Sequence, residues 1–397
     1  MVKVRVTRSV DIPDQLRVSR YRKVPELGPR VLFFSGGSAL TGLCQTLKSY
    51  THNSTHLVTP FDSGGSSAKL RHAFNMPAIG DLRSRLMALA DDTVLGHPEV
   101  YRLFTYRFDR RSSNKALRDR LDDMVAGRDN LVADITNPMR RLICNQLGYF
   151  RKAMPMDFDL RGASIGNLIL AGGYLNNHQE LDSIIFLFSK LVNVQGTVRA
   201  VVDDNLHLCA DLEDGSQVHG QHRLTGKEFE PLASPIRRLF LSNEVDKAVE
   251  VQPQLRKKNR KLIEAADLIC YPPGSFYSSV VVNLLPAGVG RAIASNDCPK
   301  VYIPNLGEDP EQIGMDMQGL IDSLMSPLQA DTPKKTPANE LLNFVMLDSR
   351  NGVYPSQPSF ERMEAMGIRL IDTRLVAKRS APYYDNDLLV SALLSLV

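Results

Sequence analysis

The 397-residue sequence contains no apolar run approaching about 18 residues, and Met1-Val2-Lys3-Val4-Arg5-Val6 is not followed by a sustained apolar stretch. Neither membrane spanning nor secretion is expected. Cysteine is sparse: Cys44, Cys144, Cys209, Cys270 and Cys298 are odd in number, widely scattered and without a CxxC pair. That excludes a zinc knuckle or disulfide scaffold and points to reduced thiols and a cytoplasmic setting. The formal net charge of +4 is small for this length, so no overall field favours nucleic acid. A GxGxxG fingerprint is also missing. Ser35-Gly36-Gly37-Ser38-Ala39-Leu40 lacks its spacing, and no acid closes the second strand at the ribose position unless Asp62 serves, which disfavours a nicotinamide-dependent oxidoreductase.

What is present is a repeated strand, glycine turn, helix pattern. Val31-Leu32-Phe33-Phe34 breaks into Ser35-Gly36-Gly37-Ser38 and then a helical pattern through Leu40, Leu43 and Leu47. His56-Leu57-Val58-Thr59 ends in Pro60-Phe61-Asp62-Ser63-Gly64-Gly65-Ser66-Ser67 and feeds a helix through Leu70 and Phe74. Asp267-Leu268-Ile269-Cys270-Tyr271 runs into Pro272-Pro273-Gly274-Ser275, with a helix expected to follow. In an open parallel sheet such loops gather at the carboxyl edge, where unpaired backbone N–H groups favour anions. The edge is therefore read as an anion site for a nucleotide's phosphates. Asp81 reads as a helix N-cap or a site residue, Asp62 as a site residue or an Asx turn, and Ser38 as a phosphate contact or a cap.

The fold expected is α/β, a Rossmann-like, mostly parallel sheet flanked by helices. Residues 1–29 read as an extension carrying Arg8, Arg17, Arg20, Arg22 and Lys23, and residues 30–397 as a single domain. Within it, residues 98–160 read as a helical insertion whose basic residues alternate with Asp109, Asp119, Asp122, Asp123 and Asp129, as on a solvated face or subunit contact. Period-two alternation from Thr197, with Asp214-Gly215 as a hairpin turn, marks residues 196–224 as a small antiparallel insertion. Residues 326–338 have the composition of a linker, and Leu388–Val397 that of a closing apolar helix.

Taken together, the motifs resemble the family that unites 2-phospho-L-lactate transferases (CofD) with YvcK-type gluconeogenesis factors, nearer to the YvcK branch. The resemblance rests on Ser35-Gly36-Gly37-Ser38, Asp62 through Arg71, Gly80-Asp81-Leu82-Arg83, Ser164-Ile165-Gly166-Asn167-Leu168, Leu191-Val192-Asn193-Val194, Pro273 through Ser279 and Asn283-Leu284-Leu285, in the family's order. Departures are Ser63 for the second of two paired aspartates, Ala163 for a histidine and Pro272 for a glycine. The resemblance implies a nucleotide diphosphate ligand held by Gly36, Gly37, Ser38, Gly64, Gly65, Ser66, Asn167, Gly274 and Ser275, with Asn193 and Tyr277 contacting a nucleotide sugar. Core packing is the other reading of Tyr277. It further implies Asp62 as catalytic carboxylate and magnesium ligand, and a homodimer. Two activities stay open: transfer of a phospholactyl-type group to a hydroxyl, or UDP-sugar binding by a metabolic regulator.

Overall fold

The computed structural model describes residues 9–93, 96–226, 229–245 and 247–397. The basic residues expected at 1–8, Arg8 among them, lie outside that set. Three strands of the main sheet come first, β1 (Val31–Ser35), β2 (Thr55–Val58) and β3 (Thr197–Ala200). Strands β4 (His207–Leu212), β5 (Gln217–His219), β6 (Ile236–Ser242) and β7 (Glu250–Val251) form a separate antiparallel sheet in the order β5-β4-β6-β7. The chain then returns to the main sheet with β8 (Leu268–Tyr271), β9 (Lys300–Tyr302), β10 (Phe344–Leu347) and β11 (Arg369–Asp372). Among the described residues the main sheet has seven strands, ordered β11-β10-β9-β8-β1-β2-β3, and every pairing is parallel.

The centre of this sheet is apolar on both faces, which is why β1 reads as an unbroken hydrophobic run. Val31 and Phe33 enter one core and Leu32 and Phe34 the other, as the period of two in a strand requires. The first core is closed by helices such as Gly80–Leu89, Ile165–Asn176 and Leu181–Leu191, the second by Val289–Ala294 and Met317–Ala330. Each of these fully buried side chains contributes about 2 kcal/mol of transfer free energy. A third cluster, with Phe61, Val201, Leu208 and Val282, joins the antiparallel sheet to the main one.

Several expected boundaries shift. The alternating segment at Thr197 is not part of the antiparallel insertion: Thr197–Ala200 is an edge strand parallel to β2, paired Thr55 to Thr197. An edge strand with one covered face alternates like a half-buried antiparallel one, so the pattern alone misassigned it. The antiparallel sheet begins at His207 and extends beyond residue 224 to Val251, with the Asp214-Gly215 hairpin in place between β4 and β5. The 326–338 linker is partly helical, because the Met317–Ala330 helix runs through Pro327 and buries Leu324, Met325 and Leu328. Asp81 is not the N-cap of its helix. Ile79 occupies that position, and Asp81 lies in the first turn, where its charge complements the helix dipole.

The region 98–160 is helical, with Pro98–Thr105, Asn114–Val125 and Met139–Ala153 as its main helices. Its aspartates pair with its arginines, Arg120 with Asp129, Arg128 with Asp123 and Arg151 with Asp122. The helix Gln15–Lys23 of the amino-terminal extension docks on the closing helix Asn386–Leu394, where Arg17 Nη1 donates to the Ser395 carbonyl at 3.0 Å. Among the described residues no helix is long and apolar enough to cross a membrane.

Candidate functional site

The sheet order reverses direction between β1 and β8. The chain leaves β1 toward β2 on one side and β8 toward β9 on the other, so their carboxyl-end loops diverge and open a crevice. A cleft of about 730 Å³ occupies that place, lined by the loops after β1, β2 and β8 and by the helical and antiparallel insertions. Gly36, Gly37, Ser38, Asp62, Gly64, Gly65, Ser66, Asn167, Gly274 and Ser275 all line it, so ten positions scattered from 36 to 275 meet in one space.

The first loop is glycine by necessity. A Cβ on Gly37 would overlap the Asp81 carboxylate, and one on Gly36 would overlap Ser279. In the second loop Asp62 Oδ1 accepts from the Gly64 N–H at 3.0 Å, the Asx turn foreseen for it, while Asp62 still lines the cleft. Buried Arg71 fixes this loop from behind, donating from Nη1 to the Phe61 and Asp62 carbonyls, each at 3.2 Å, and from Nη2 to the Leu206 carbonyl at 2.6 Å. Burial pulls the Arg71 pKa down to about 10, against the attraction of Asp62. Asn167 Nδ2 donates to Ser66 Oγ at 3.2 Å, yet Asn167 Oδ1 is buried and, among the described residues, has no partner.

The third loop differs from expectation. Its backbone N–H groups are already engaged by the chain's own acceptors: Gly274 N–H by Asn305 Oδ1 at 2.6 Å, Phe276 N–H by Asp309 Oδ2 at 2.9 Å, and Tyr277 and Ser278 N–H by Glu311 Oε2, each at 2.8 Å. Gly274 and Ser275 therefore border the cleft without offering the row of open amides that a phosphate cradle needs. The regular helix expected after this turn is a π turn at Phe276–Val280 followed by a 3-10 turn at Val281–Leu284.

Two residues expected at the site lie elsewhere. Tyr277 is buried in the second core, and its hydroxyl donates to Ser323 Oγ at 3.3 Å, which is the core-packing alternative. Asn193 precedes β3 and so sits at the amino edge of the sheet, opposite the cleft, where its Nδ2 donates to Asp91 Oδ2 at 3.0 Å.

The cleft also gathers side chains that the motif reading did not assign. Lys69, Arg83, Arg107, Arg110 and Arg161 line it, five cations against the carboxylates of Asp62, Asp81 and Asp159. Asp159 bridges Arg161 at 2.8 Å and Lys69 at 2.9 Å, and these two, Arg161 foremost, hold its carboxyl well below the usual range. Arg83 is buried, and burial first, then the like charge of Arg107, lowers its pKa to about 10. Its Nε has no partner among the described residues. Lys69 and Arg83 stood inside quoted motifs, but nothing in the sequence separated them from surface charge. From the antiparallel insertion comes His222, whose Nδ1 lies 2.7 Å from Ser63 Oγ while its backbone N–H donates to the same oxygen at 3.2 Å.

Residues 31–376 match the family described as 2-phospho-L-lactate transferase CofD. Among similar proteins, the gluconeogenesis factor of Bacillus subtilis (strain 168) is 27% identical over 378 residues, covering 93% of this chain and 98% of its own length. A putative gluconeogenesis factor of Thermoanaerobacterium thermosulfurigenes is 29% identical over 299 residues, covering 75% of this chain and 74% of its own. A crystal structure of a UPF0052-family protein from Bacillus halodurans superposes with a TM-score of 0.67 at 23% identity, over 92% of this chain and 99% of that one, and shares the fold. With a match that spans most of its length and motifs that converge on one cleft, the chain belongs to the CofD family.

Proposed function

We propose that the protein binds a nucleotide diphosphate compound in the crevice between β1 and β8, with the phosphates against the β1 and β2 loops. The observation that carries this reading is the pairing of two glycine loops with an excess of cations in one cleft. Two further features support it. Asn167 Oδ1 and Arg83 Nε are buried polar atoms in the wall with no partner among the described residues, and such atoms are costly unless a ligand or water completes them. The volume of about 730 Å³ is that of a pocket for a compound of nucleotide size.

Magnesium fits this arrangement as an ion that enters with the phosphates. Among the described residues no group of three or more His, Cys, Asp or Glu side chains is placed to hold a metal. Magnesium bound to a nucleotide needs only one or two protein carboxylates, because phosphate oxygens and water supply the rest. Asp62 and Asp81 line the cleft and are the candidates; Asp62 Oδ1 is committed to Gly64, so Oδ2 is the oxygen for the ion. When bound, the ion would neutralise phosphate charge.

Transfer of a phospholactyl-type group to a hydroxyl is favoured by Asp62 and His222 on the same wall, a carboxylate and an imidazole beside a phosphate seat. UDP-sugar binding without turnover is favoured by Ser63, which engages His222 and adds no second carboxylate next to Asp62. A thermal-shift panel of nucleoside diphosphates and UDP-sugars, with and without magnesium, tests the proposal. A compound at a hundredfold its Kd adds about 2.7 kcal/mol to stability and raises the melting temperature. If no diphosphate stabilises the protein, the reading is wrong. Acceptor-dependent turnover selects the transferase, and stabilisation by UDP-sugars without turnover selects the regulator.

A further inference from the structure

Arg85 is fully buried beneath the first glycine loop, at 0% exposure. Its Nη2 donates to the Gly36 carbonyl at 2.8 Å, to the Gly37 carbonyl at 3.2 Å and to Ser35 Oγ at 3.4 Å, and its Nη1 donates to Cys44 Sγ. No carboxylate is among these partners. The Cys44 thiol stays neutral because burial raises its pKa by more than Arg85 lowers it. The neighbouring His56 ring is neutral as well, since burial first and the charge of Arg85 second push its pKa well below the usual value. A guanidinium surrounded by neutral groups in the interior is expensive, by several kcal/mol relative to water.

The planarity of the trans peptide gives this cation a purpose. Each carbonyl points opposite to the N–H of the following residue. Turning the Gly36 and Gly37 carbonyls down onto Arg85 therefore turns the N–H groups of Gly37 and Ser38 up, toward the cleft that both residues line. Among the described residues neither N–H donates to a protein acceptor. Two successive outward amides form a small concave seat for an anion. The cation that aligns them lies behind the two glycine peptides, on the side of their carbonyls.

We propose that Arg85 is a positioning residue for bound phosphate, resting on the anion-binding reading of the cleft. It holds two peptides with their amides outward, and the anion seated on those amides supplies the counter-charge that the interior withholds from Arg85. Glycine at 36 and 37 allows this because the loop is pressed between Arg85 below and Asp81 and Ser279 alongside.

The test compares the full-length protein with Arg85→Met, Arg85→Gln and Arg85→Lys. Crystal structures without ligand decide the orientation directly. In Arg85→Met at least one of the Gly36 and Gly37 carbonyls is expected to swing into the cleft, whereas Arg85→Lys, which keeps the charge, retains one of the two. Calorimetric titration with inorganic pyrophosphate is expected to show affinity roughly tenfold or more weaker in Arg85→Met, a ratio equivalent to about 1.4 kcal/mol. Arg85→Gln, which can still donate to a carbonyl but carries no charge, is expected to keep the peptide orientation better than it keeps pyrophosphate affinity. A packing role alone would lower the melting temperature while the peptides stay in place and affinities coincide, and that outcome overturns the proposal. If Arg85→Met does not fold, unmoved peptides and unchanged affinity in both Arg85→Gln and Arg85→Lys overturn it equally. Failure of the wild type to bind pyrophosphate counts against the functional reading, while the peptide orientations still decide the role of Arg85.

Discussion

Replacing Glu311 by glutamine and by alanine should separate the ionisation of this buried carboxylate from the hydrogen bonds it accepts. The Glu311 carboxylate is buried and accepts from the Tyr277 and Ser278 N–H groups and from the Ser278 hydroxyl. Burial first, then the neighbouring charge of Asp309, pushes its pKa from 4.5 up to about 7, while the three donors pull it down. A group whose pKa rises on folding stabilises the fold fully below its unfolded value and loses that contribution as pH climbs through the folded value. At about 1.4 kcal/mol per pKa unit, the loss between pH 4.5 and pH 7 is of the order of 3 kcal/mol. Glutamine keeps an oxygen for both amides and cannot ionise, so Glu311→Gln should flatten this slope and be the more stable protein at pH 8. Alanine leaves two buried amides without an acceptor, at about 1–3 kcal/mol each, so Glu311→Ala should be less stable than wild type by roughly 2–6 kcal/mol at pH 5, a gap that narrows toward pH 8 as wild type loses its own contribution, and less stable than Glu311→Gln throughout. Urea denaturation of the three proteins from pH 5 to pH 8 measures this. Parallel pH profiles for wild type and Glu311→Gln would refute the reasoning.

Other substitutions test the site itself. Gly37→Ala drives a methyl into the Asp81 carboxylate and should cost about 1–3 kcal/mol by chemical denaturation, together with most of the pyrophosphate affinity; unchanged binding would separate the loop from the ligand. Asp62→Asn should abolish magnesium-dependent transfer while nucleotide affinity without magnesium stays within a few-fold, and equal turnover in both proteins would remove Asp62 from the chemistry. His222→Ala should slow any transfer by about a hundredfold or more, the usual range for a lost acid or base, with little change in ligand affinity. Asn193→Ala should lower stability by about 1 kcal/mol through the lost bond to Asp91 and leave ligand binding untouched, whereas a large loss of affinity would return Asn193 to the site.

The parts legible in the sequence were those governed by short-range rules. A central parallel strand is covered on both faces, so β1 announced itself as an unbroken apolar run; the glycine turn after β1 leaves no space for a side chain, and the one after β2 places Gly65 at a φ of 49°. Order along the chain also identified Asn167, 101 residues from Ser66 and hydrogen-bonded to it. Long-range acceptors were not legible. Nothing near Gly274 indicated that Asn305, Asp309 and Glu311 would occupy the amides of its turn. Arg107 and Arg110 resembled their neighbours Arg120 and Arg128, and only the fold separates arginines paired with aspartate from those that line the cleft. Asn193 shows the complementary failure: a motif fixes which residue follows a helix, but the direction of the next strand decides at which end of the sheet it lies.

The two loops that flank the switch point are held from behind by opposite kinds of group. Asp309 and Glu311 accept from the amides of the β8 turn, whereas Arg85 donates to the carbonyls of the β1 loop, so the amides of one loop face inward to the protein and those of the other are left outward. On the binding reading proposed for the cleft, this asymmetry would give a phosphate compound one heading, its anionic end toward the β1 loop and away from Ser275.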